Sequence, residues 1–331
     1  MSAANDTPAD RDDRRAVWSR YWAGGALHSC GGSFDGNYSG DIREFWREAF
    51  APLGEGSRLL DIATGNGPIP KLLLTLRPGV DVHCDAVDLA AVAPAWPAEL
   101  PEGERRRLQF HPRVEAEALP FADARFDLVV SQYGLEYSQL ARSVPELLRV
   151  LKSSGRVRLL AHHAASVPVT LAREELRQID WLRSPAGLLA AAAPMLGPMA
   201  RAATPEGRAA LRGDAVAHSA REAFDRSQSE REARATASSC PDILHETAGW
   251  IAQAFQAAHT GGEARGREAL ARIDRMLDDA RLRLQELCDH ALDEAGARAL
   301  CDQLGQGGRR SADAVPLRQE GRLMAWAIRA G

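Results

Sequence analysis

The tract Leu60-Asp61-Ile62-Ala63-Thr64-Gly65-Asn66-Gly67-Pro68-Ile69-Pro70 carries the clearest chemical signal in the chain. Two glycines one residue apart let a backbone turn sharply and approach a ligand closely, and Pro68 suits the first turn of a following helix. Strand, tight turn and helix in that order form a cradle at the strand's carboxyl end. The phosphate-binding versions of such a cradle fit poorly. A dinucleotide loop wants a third glycine where Pro70 stands, and a triphosphate loop wants Gly-Lys followed by Ser or Thr. Asp88 closes the next apolar run, where a carboxylate can accept hydrogen bonds from both hydroxyls of a ribose; its plainer alternative is a helix cap. Loop and acid together describe a nucleoside ligand held without a pyrophosphate.

Groups able to move a proton are His162 and His163 after the run Val157 to Ala161, His28 in a Gly-rich stretch, and Glu136 or Tyr137. An imidazole near its ordinary pKa at a strand end could deprotonate a hydroxyl, a phenol or an activated carbon acid. Each histidine also reads as a core or surface residue satisfied by a backbone carbonyl. Cys30, Cys84, Cys240, Cys288 and Cys301 are odd in number and far apart, with no Cys-x-x-Cys pair and no ligand-spaced His, which disfavours disulfides and a structural metal.

Short apolar runs alternating with helical stretches must position these groups. Strands are expected at 58–63, 82–88, 108–114, 126–131 and 157–162, with helices at 68–76 and 145–151 between them. Right-handed crossovers then give a doubly wound α/β sheet. Ahead of it, Val17, Trp18, Tyr21 and Trp22 share a helix face. A second helix starts at Asp41, with Glu44 completing a capping box, and presents Ile42, Phe45, Trp46, Ala49 and Phe50. From 166 to about 305 the strand pattern gives way to runs rich in Ala, Leu, Arg and Glu. Leu270, Ile273, Leu277, Ala280, Leu284, Leu287 and Ala291 alternate steps of three and four, a seam that must pack on another helix of this chain or of a second copy. Two β-like runs around Glu320-Gly321 form a terminal hairpin. The resulting division is a polar tail at 1–14, aromatic helices or a lid at 15–55, a ligand-binding core at 56–165, a helical cap at 166–305 and terminal strands at 306–331.

The chain has 331 residues, 45% hydrophobic and 26% charged, with a net charge of -4, which offers no field to gather a polyanion and disfavours nucleic acid as partner. Of 41 basic residues only Lys71 and Lys152 are lysine, a bias read as the codon habit of a G+C-rich bacterial genome. No run approaches the length of a membrane span, and the acidic start does not resemble a signal peptide, so a cytoplasmic location is expected.

The loop, Asp88 and the segment Val114-Glu115-Ala116-Glu117-Ala118-Leu119-Pro120-Phe121-Ala122-Asp123-Ala124-Arg125-Phe126-Asp127 resemble the class I S-adenosylmethionine-dependent methyltransferases. Within them the segment is most similar to the branch typified by the ubiquinone/menaquinone C-methyltransferases and their small-molecule relatives. Glu146 to Lys152 and Gly155-Arg156 resemble that family's helix and turn before strand five. The likeness covers Arg58 to about Leu160. It implies a Rossmann-like methyltransferase fold, a mostly parallel seven-stranded sheet with a large helical insertion between strand five and the terminal hairpin. It also implies S-adenosylmethionine as methyl donor and S-adenosylhomocysteine as product. Ala63, Gly65 and Gly67 would wrap the methionine part with Asp61 beneath them. Asp88 would hold the ribose, Leu89 would lie against the adenine, and Glu115 with the backbone of Ala116 would recognise the adenine edge. Relatives usually carry Asp where Glu115 stands. Gln132 and Tyr133 would line the space near the sulfonium, and Tyr21, Trp22, Phe34 and Tyr38 would form a lid, Tyr38 close to the cofactor; the alternative is that these aromatics, Phe45, Trp46 and Phe50 above all, pack the two helices onto the sheet.

The function expected from this resemblance is methyl transfer to a small molecule, such as a secondary metabolite or quinone. Alternatives are a peptide or protein acceptor docked on the helical insertion, and a cofactor-binding scaffold without catalysis. Ser131-Gln132-Tyr133-Gly134 departs from the Asn/Asp-Pro-Pro-Tyr/Phe tract of enzymes that methylate amide or amino nitrogens. The seam leaves a homodimer through the insertion open.

Overall fold

A computed structural model describes residues 8–29 and 36–331. Its elements are α1 (Pro8–Ala23), α2 (Gly40–Phe50), β1 (Arg58–Ile62), α3 (Pro68–Leu76), β2 (His83–Asp88), α4 (Glu102–Arg105), β3 (Leu108–Pro112), β4 (Phe126–Gln132), α5 (Leu140–Val150) and β5 (Leu151–His162). There follow α6 (Val167–Arg183), α7 (Leu188–Ala192), α8 (Leu196–Arg201), α9 (Pro205–Leu211), α10 (Ala215–Ala237), α11 (Asp242–Gly261), α12 (Glu263–His290), α13 (Glu294–Leu304), β6 (Ala312–Gln319) and β7 (Arg322–Ala330). Two compact units result, Thr170–Gln285 and the remainder. Among the described residues no helix is long and apolar enough to cross a membrane.

The first unit is built on a seven-stranded sheet in the order β3-β2-β1-β4-β5-β7-β6. Strands β1 to β5 run parallel, while β7 is antiparallel to both β5 and β6. Both faces are covered, so successive residues of the central strands are apolar but belong to different cores. Leu59, Leu128, Val130 and Leu160 pack with Ile42, Trp46, Phe50 and Leu72 of α2 and α3. Leu60, Val129, Val157 and Leu159 pack on the other side with Leu147 of α5 and Leu300 and Leu304 of α13. The terminal hairpin turns through Glu320 (φ +52°) and Gly321 (φ +77°), the pair of left-handed residues that a two-residue hairpin matching the strand twist requires.

Three expectations are corrected here. The supposed tail at 1–14 contains the first turns of α1, which starts at Pro8, a residue suited to the first helical position. The remaining residues, 1–7, lie outside those described. The capping box of α2 does not form. Ser39 is the cap residue without a side-chain bond, Glu44 pairs with Arg47, and the Ile42 N–H is satisfied instead by Gln319 Oε1 at 3.3 Å. The helical insertion ends earlier than 305, because Ala297, Leu300, Cys301 and Leu304 make α13 part of the sheet's own cover.

The second unit is entirely helical. Ile273, Leu277 and Ala280 of the α12 seam, with Leu270 and Leu284 half-buried beside them, pack on Ile179 and Leu182 of α6, Leu188 of α7 and Leu244, Ile251 and Ala254 of α11. At Gly266 a side chain would meet Ala258 Cβ at 2.6 Å, so α11 and α12 cross closely there. The seam from Leu270 to Leu284 is thus covered within the chain, and that stretch supplies no argument for a second copy.

Candidate functional site

Parallel strands leave the ligand cleft at their carboxyl ends, where the loops after β1, β2 and β4 diverge. A cavity of about 910 Å³, its open mouth included, lies there. Its floor is Ile62 and Ala63 after β1, Val87 to Ala90 after β2 and Gly134 after β4. Ala63 (φ +59°) and Tyr133 (φ +54°) both hold left-handed backbone, so the two strands end in sharp turns. At Gly134 a side chain would stand 2.3 Å from Ala63 Cβ, which requires glycine. The Ser131 hydroxyl donates to Ile62 O at 2.8 Å and accepts from Leu135 N–H at 3.0 Å, tying the two turns together.

Asp88 is buried and held by two backbone donors, Gly65 N–H at 2.7 Å and Ala90 N–H at 2.8 Å. Burial pushes its pKa up to about 6 against those two bonds. Asp61 lies under the loop, receives the Thr64 hydroxyl on Oδ2 at 2.6 Å and leaves Oδ1 buried without a partner among the described residues. Its pKa rises to about 8, chiefly through burial and further through the charge of Asp88. Asp61 lies behind the cavity wall and Asp88 in it, and a cation close by would favour the ionised form of both.

Leu89, Glu115, Ala116 and Ala63 line the cavity where the resemblance put them, with Val114 and Glu117 beside them. Gly65 and Gly67 do not line it. A side chain at Gly65 would lie 2.6 Å from the Trp22 indole, and one at Gly67 would lie 2.7 Å from the Phe110 ring. Both glycines also have positive φ, so here they allow the loop to turn and to be packed over.

The opposite wall is α1, which contributes Arg14, Arg15, Trp18 and Trp22. The two indoles stack at 5.9 Å, and Trp18 meets Tyr137 edge-on at 6.2 Å. The Arg14 guanidinium pairs with Glu286 and donates to Tyr137 O at 3.3 Å, and Trp18 Nε1 donates to Glu286 Oε2 at 3.1 Å. Tyr133, Tyr137, Ser138 and Gln139 complete this end. Sequence reasoning missed Arg14, Ser138 and Gln139, none of which stands in a motif; the i, i+4 spacing of Trp18 and Trp22 was the one signal pointing to the wall.

Several expected positions are corrected. Tyr38 is buried in the core with Ile42 and Trp46 and stacks on His28 at 4.8 Å, away from the cavity. Phe34 lies outside the described residues. Gln132 is also turned into the protein, where its Oε1 accepts from Trp46 Nε1 at 2.5 Å, and Tyr133 takes the cavity position. His163 stacks on Trp326 at 4.4 Å beside a separate groove. His162 is buried one layer behind the cavity. Its Nδ1 and backbone N–H both meet Glu136 Oε1 at 2.9 Å, and its ring stacks on Tyr133 at 4.2 Å. Neither histidine reaches the cavity as a base. His28 is likewise buried, and burial lowers its pKa.

Residues 60–159 match a protein-family model described as a methyltransferase domain. Over 137 residues the chain is 31% identical to the ubiquinone/menaquinone biosynthesis C-methyltransferase of Paracoccus denitrificans, covering 40% of this chain and 54% of that one. The demethylmenaquinone methyltransferase of Thermus thermophilus is 30% identical over 128 residues, 38% of this chain and 56% of that one. The chain thus spans about half the length of the curated relatives it matches. Geranyl diphosphate C-methyltransferase from Streptomyces coelicolor, in complex with Mg2+, geranyl diphosphate and S-adenosyl-L-homocysteine, aligns at 17% identity over 48% of this chain and 66% of that one, with a TM-score of 0.37. The cavity fits S-adenosylmethionine by its own chemistry: a fixed acceptor carboxylate in Asp88 and aromatic faces opposite.

Proposed function

We infer that this chain, which carries a class I S-adenosylmethionine-dependent methyltransferase domain over residues 60–159, moves a methyl group to a small-molecule acceptor of secondary-metabolite or quinone-like kind. The observation that carries this reading is the single cavity joining the Asp88 and Glu115 end to an aromatic wall. Asp88 would hold the ribose, Leu89 the adenine face, and Glu115 with the Ala116 backbone the adenine edge. Ala63 and the buried Asp61 would flank the methionine part, and Gly65 and Gly67 would let the loop turn beneath it. When bound, S-adenosylmethionine supplies an already activated methyl group for in-line displacement. The chain's remaining tasks are alignment and exclusion of water. Trp18, Trp22, Tyr133 and Tyr137 supply flat apolar faces for both, and their π-clouds favour a nearby cation.

Calorimetry with S-adenosylmethionine and S-adenosylhomocysteine tests the first half of this reading. Asp88→Ala should weaken both by about ten- to a hundred-fold, the range expected for losing hydrogen bonds to a charged acceptor. Transfer of labelled methyl from S-adenosylmethionine to a small-molecule extract tests the second half. Binding with no labelled product would favour the scaffold, and label confined to protein would favour a peptide acceptor.

A further inference from the structure

Besides the Arg14 and Trp18 bonds to Glu286 and Tyr137, α1 and the residues just after it are held by the loops that follow β1 and β2. Asn66, between the two glycines, is 5% exposed, and its Nδ2 donates to Trp22 O at 2.9 Å and Ala26 O at 2.8 Å. Both partners are carbonyls, so only the amide nitrogen can occupy that position. These bonds hold the last turn of α1 and the segment just beyond it. In the middle of the helix, Ser19 Oγ accepts from Ala91 N–H at 2.9 Å, three residues beyond Asp88, and donates to Arg15 O at 2.6 Å. Trp22, whose carbonyl is one of these anchors, lays its indole on Gly65 and faces the cavity. The loop after β1 thus grips α1 through the Asn66 side chain, the loop after β2 is gripped at its Ala91 N–H by Ser19 of α1, and the helix so held presents Trp18 and Trp22.

We propose that Asn66 and Ser19 are positioning residues that couple the wall formed by α1 to the two cofactor loops, so that ordering those loops also orders the wall around the acceptor. This rests on the cofactor reading above. Neither side chain lines the cavity; they act through Trp18 and Trp22. A ligand that fixes the Gly65 turn and the Asp88 loop fixes both anchor points, and α1 loses its freedom to open locally.

Amide hydrogen exchange over residues 12–27 of the full-length protein, with and without saturating S-adenosylhomocysteine, tests the coupling, with calorimetry in parallel. In the wild type the ligand should slow exchange in α1 by about ten-fold or more, since each factor of ten is about 1.4 kcal/mol of local opening. Asn66→Asp keeps the shape but replaces the donor, and Ser19→Ala removes the acceptor for Ala91. Each variant should still bind S-adenosylhomocysteine within about ten-fold of wild type, yet α1 should exchange at nearly the same rate with and without it. The two sites are tested separately, so a folding defect in one leaves the other to decide. Ligand-dependent slowing as large in both variants as in wild type overturns the proposal, as does wild-type α1 that ignores bound ligand. A wild type that gives no heat of binding overturns the cofactor reading and the proposal with it.

Discussion

Asp61 and Asp88 lie at the carboxyl ends of adjacent parallel strands, and among the described residues no cationic side chain bonds either carboxylate. Their pKa values stand at about 8 and about 6, against an ordinary 3.8. A folded-state pKa raised in this way contributes stability that is fully present below the unfolded value and is lost as pH rises through the folded one. The ligand-free protein should therefore melt at progressively lower temperature as pH climbs from about 4 to about 8, and Asp61→Asn should flatten the upper part of that fall. A bound cation reverses the sign, so affinity for S-adenosylmethionine should rise with pH over the same interval, and more steeply than for S-adenosylhomocysteine, which lacks the sulfonium. Thermal melts and titrations at several pH values check both, and identical slopes in Asp61→Asn and wild type would remove Asp61 from the account. Behind the cavity, Glu136 accepts two N–H groups of His162, and both residues are almost wholly buried. Glu136→Ala strands both donors and should cost about 2–4 kcal/mol in urea unfolding, with little change in cofactor affinity. The turn after β1 and the place of Asp88 at the cleft were legible because backbone geometry and acceptor chemistry dictate their types, while the place of Glu115 in the cavity lining came from the family resemblance alone. Gln132, Tyr38 and His163 were not, since proximity to a strand end does not say which face a side chain takes, and one step along a strand reverses it.

At the scale of elements, the central strands were legible because burial on both sheet faces writes them as unbroken apolar runs. Strand β5 starts at Leu151, six residues ahead of the run read from the sequence, because Lys152, Ser153 and Ser154 carry no β signal of their own. Helix α1 was half legible: its aromatic end was visible, and its polar beginning was not. Helix α13 was assigned to the insertion because Ala297, Leu300, Cys301 and Leu304 recur at 3, 1 and 3 residues, a helical stripe that fits any apolar surface. The structure makes that stripe part of the sheet's cover, which a single truncation can test. Leu300 is 1% exposed among Leu147, Val157 and Ile328, so Leu300→Ala should cost about 2–5 kcal/mol of unfolding free energy through lost burial and a residual cavity. Half-buried Leu287, on the last turns of α12, should tolerate the same change at well under half that cost. Equal costs at the two positions would return α13 to the insertion.

At the scale of the whole chain, the length of 331 residues was legible as a core plus a helical excess, but the seam on α12 was ambiguous. A three-four repeat states that a helix needs an apolar partner without stating which chain provides it. Here α6, α7 and α11 provide it, so the helical unit has a core of its own. The sheet unit is closed just as independently where the chain leaves and returns. Ala164 N–H donates to Leu292 O at 2.9 Å, Leu292 N–H donates to His162 O at 2.8 Å, and Trp326 Nε1 donates to Leu292 O at 2.8 Å. Exit and re-entry are therefore neighbours, and a loop joining them pays only the slowly growing entropy of closure. Replacing Thr170–Gln285 with a flexible Gly/Ser linker of about ten residues should leave a sheet unit that unfolds in one cooperative step and binds S-adenosylhomocysteine within about ten-fold of the full chain. The cavity residues and Glu286 all remain in that shortened chain. A product that lacks a cooperative transition, or that folds yet no longer binds, would mean that residues 170–285 are needed to hold the cofactor end of the cavity in place.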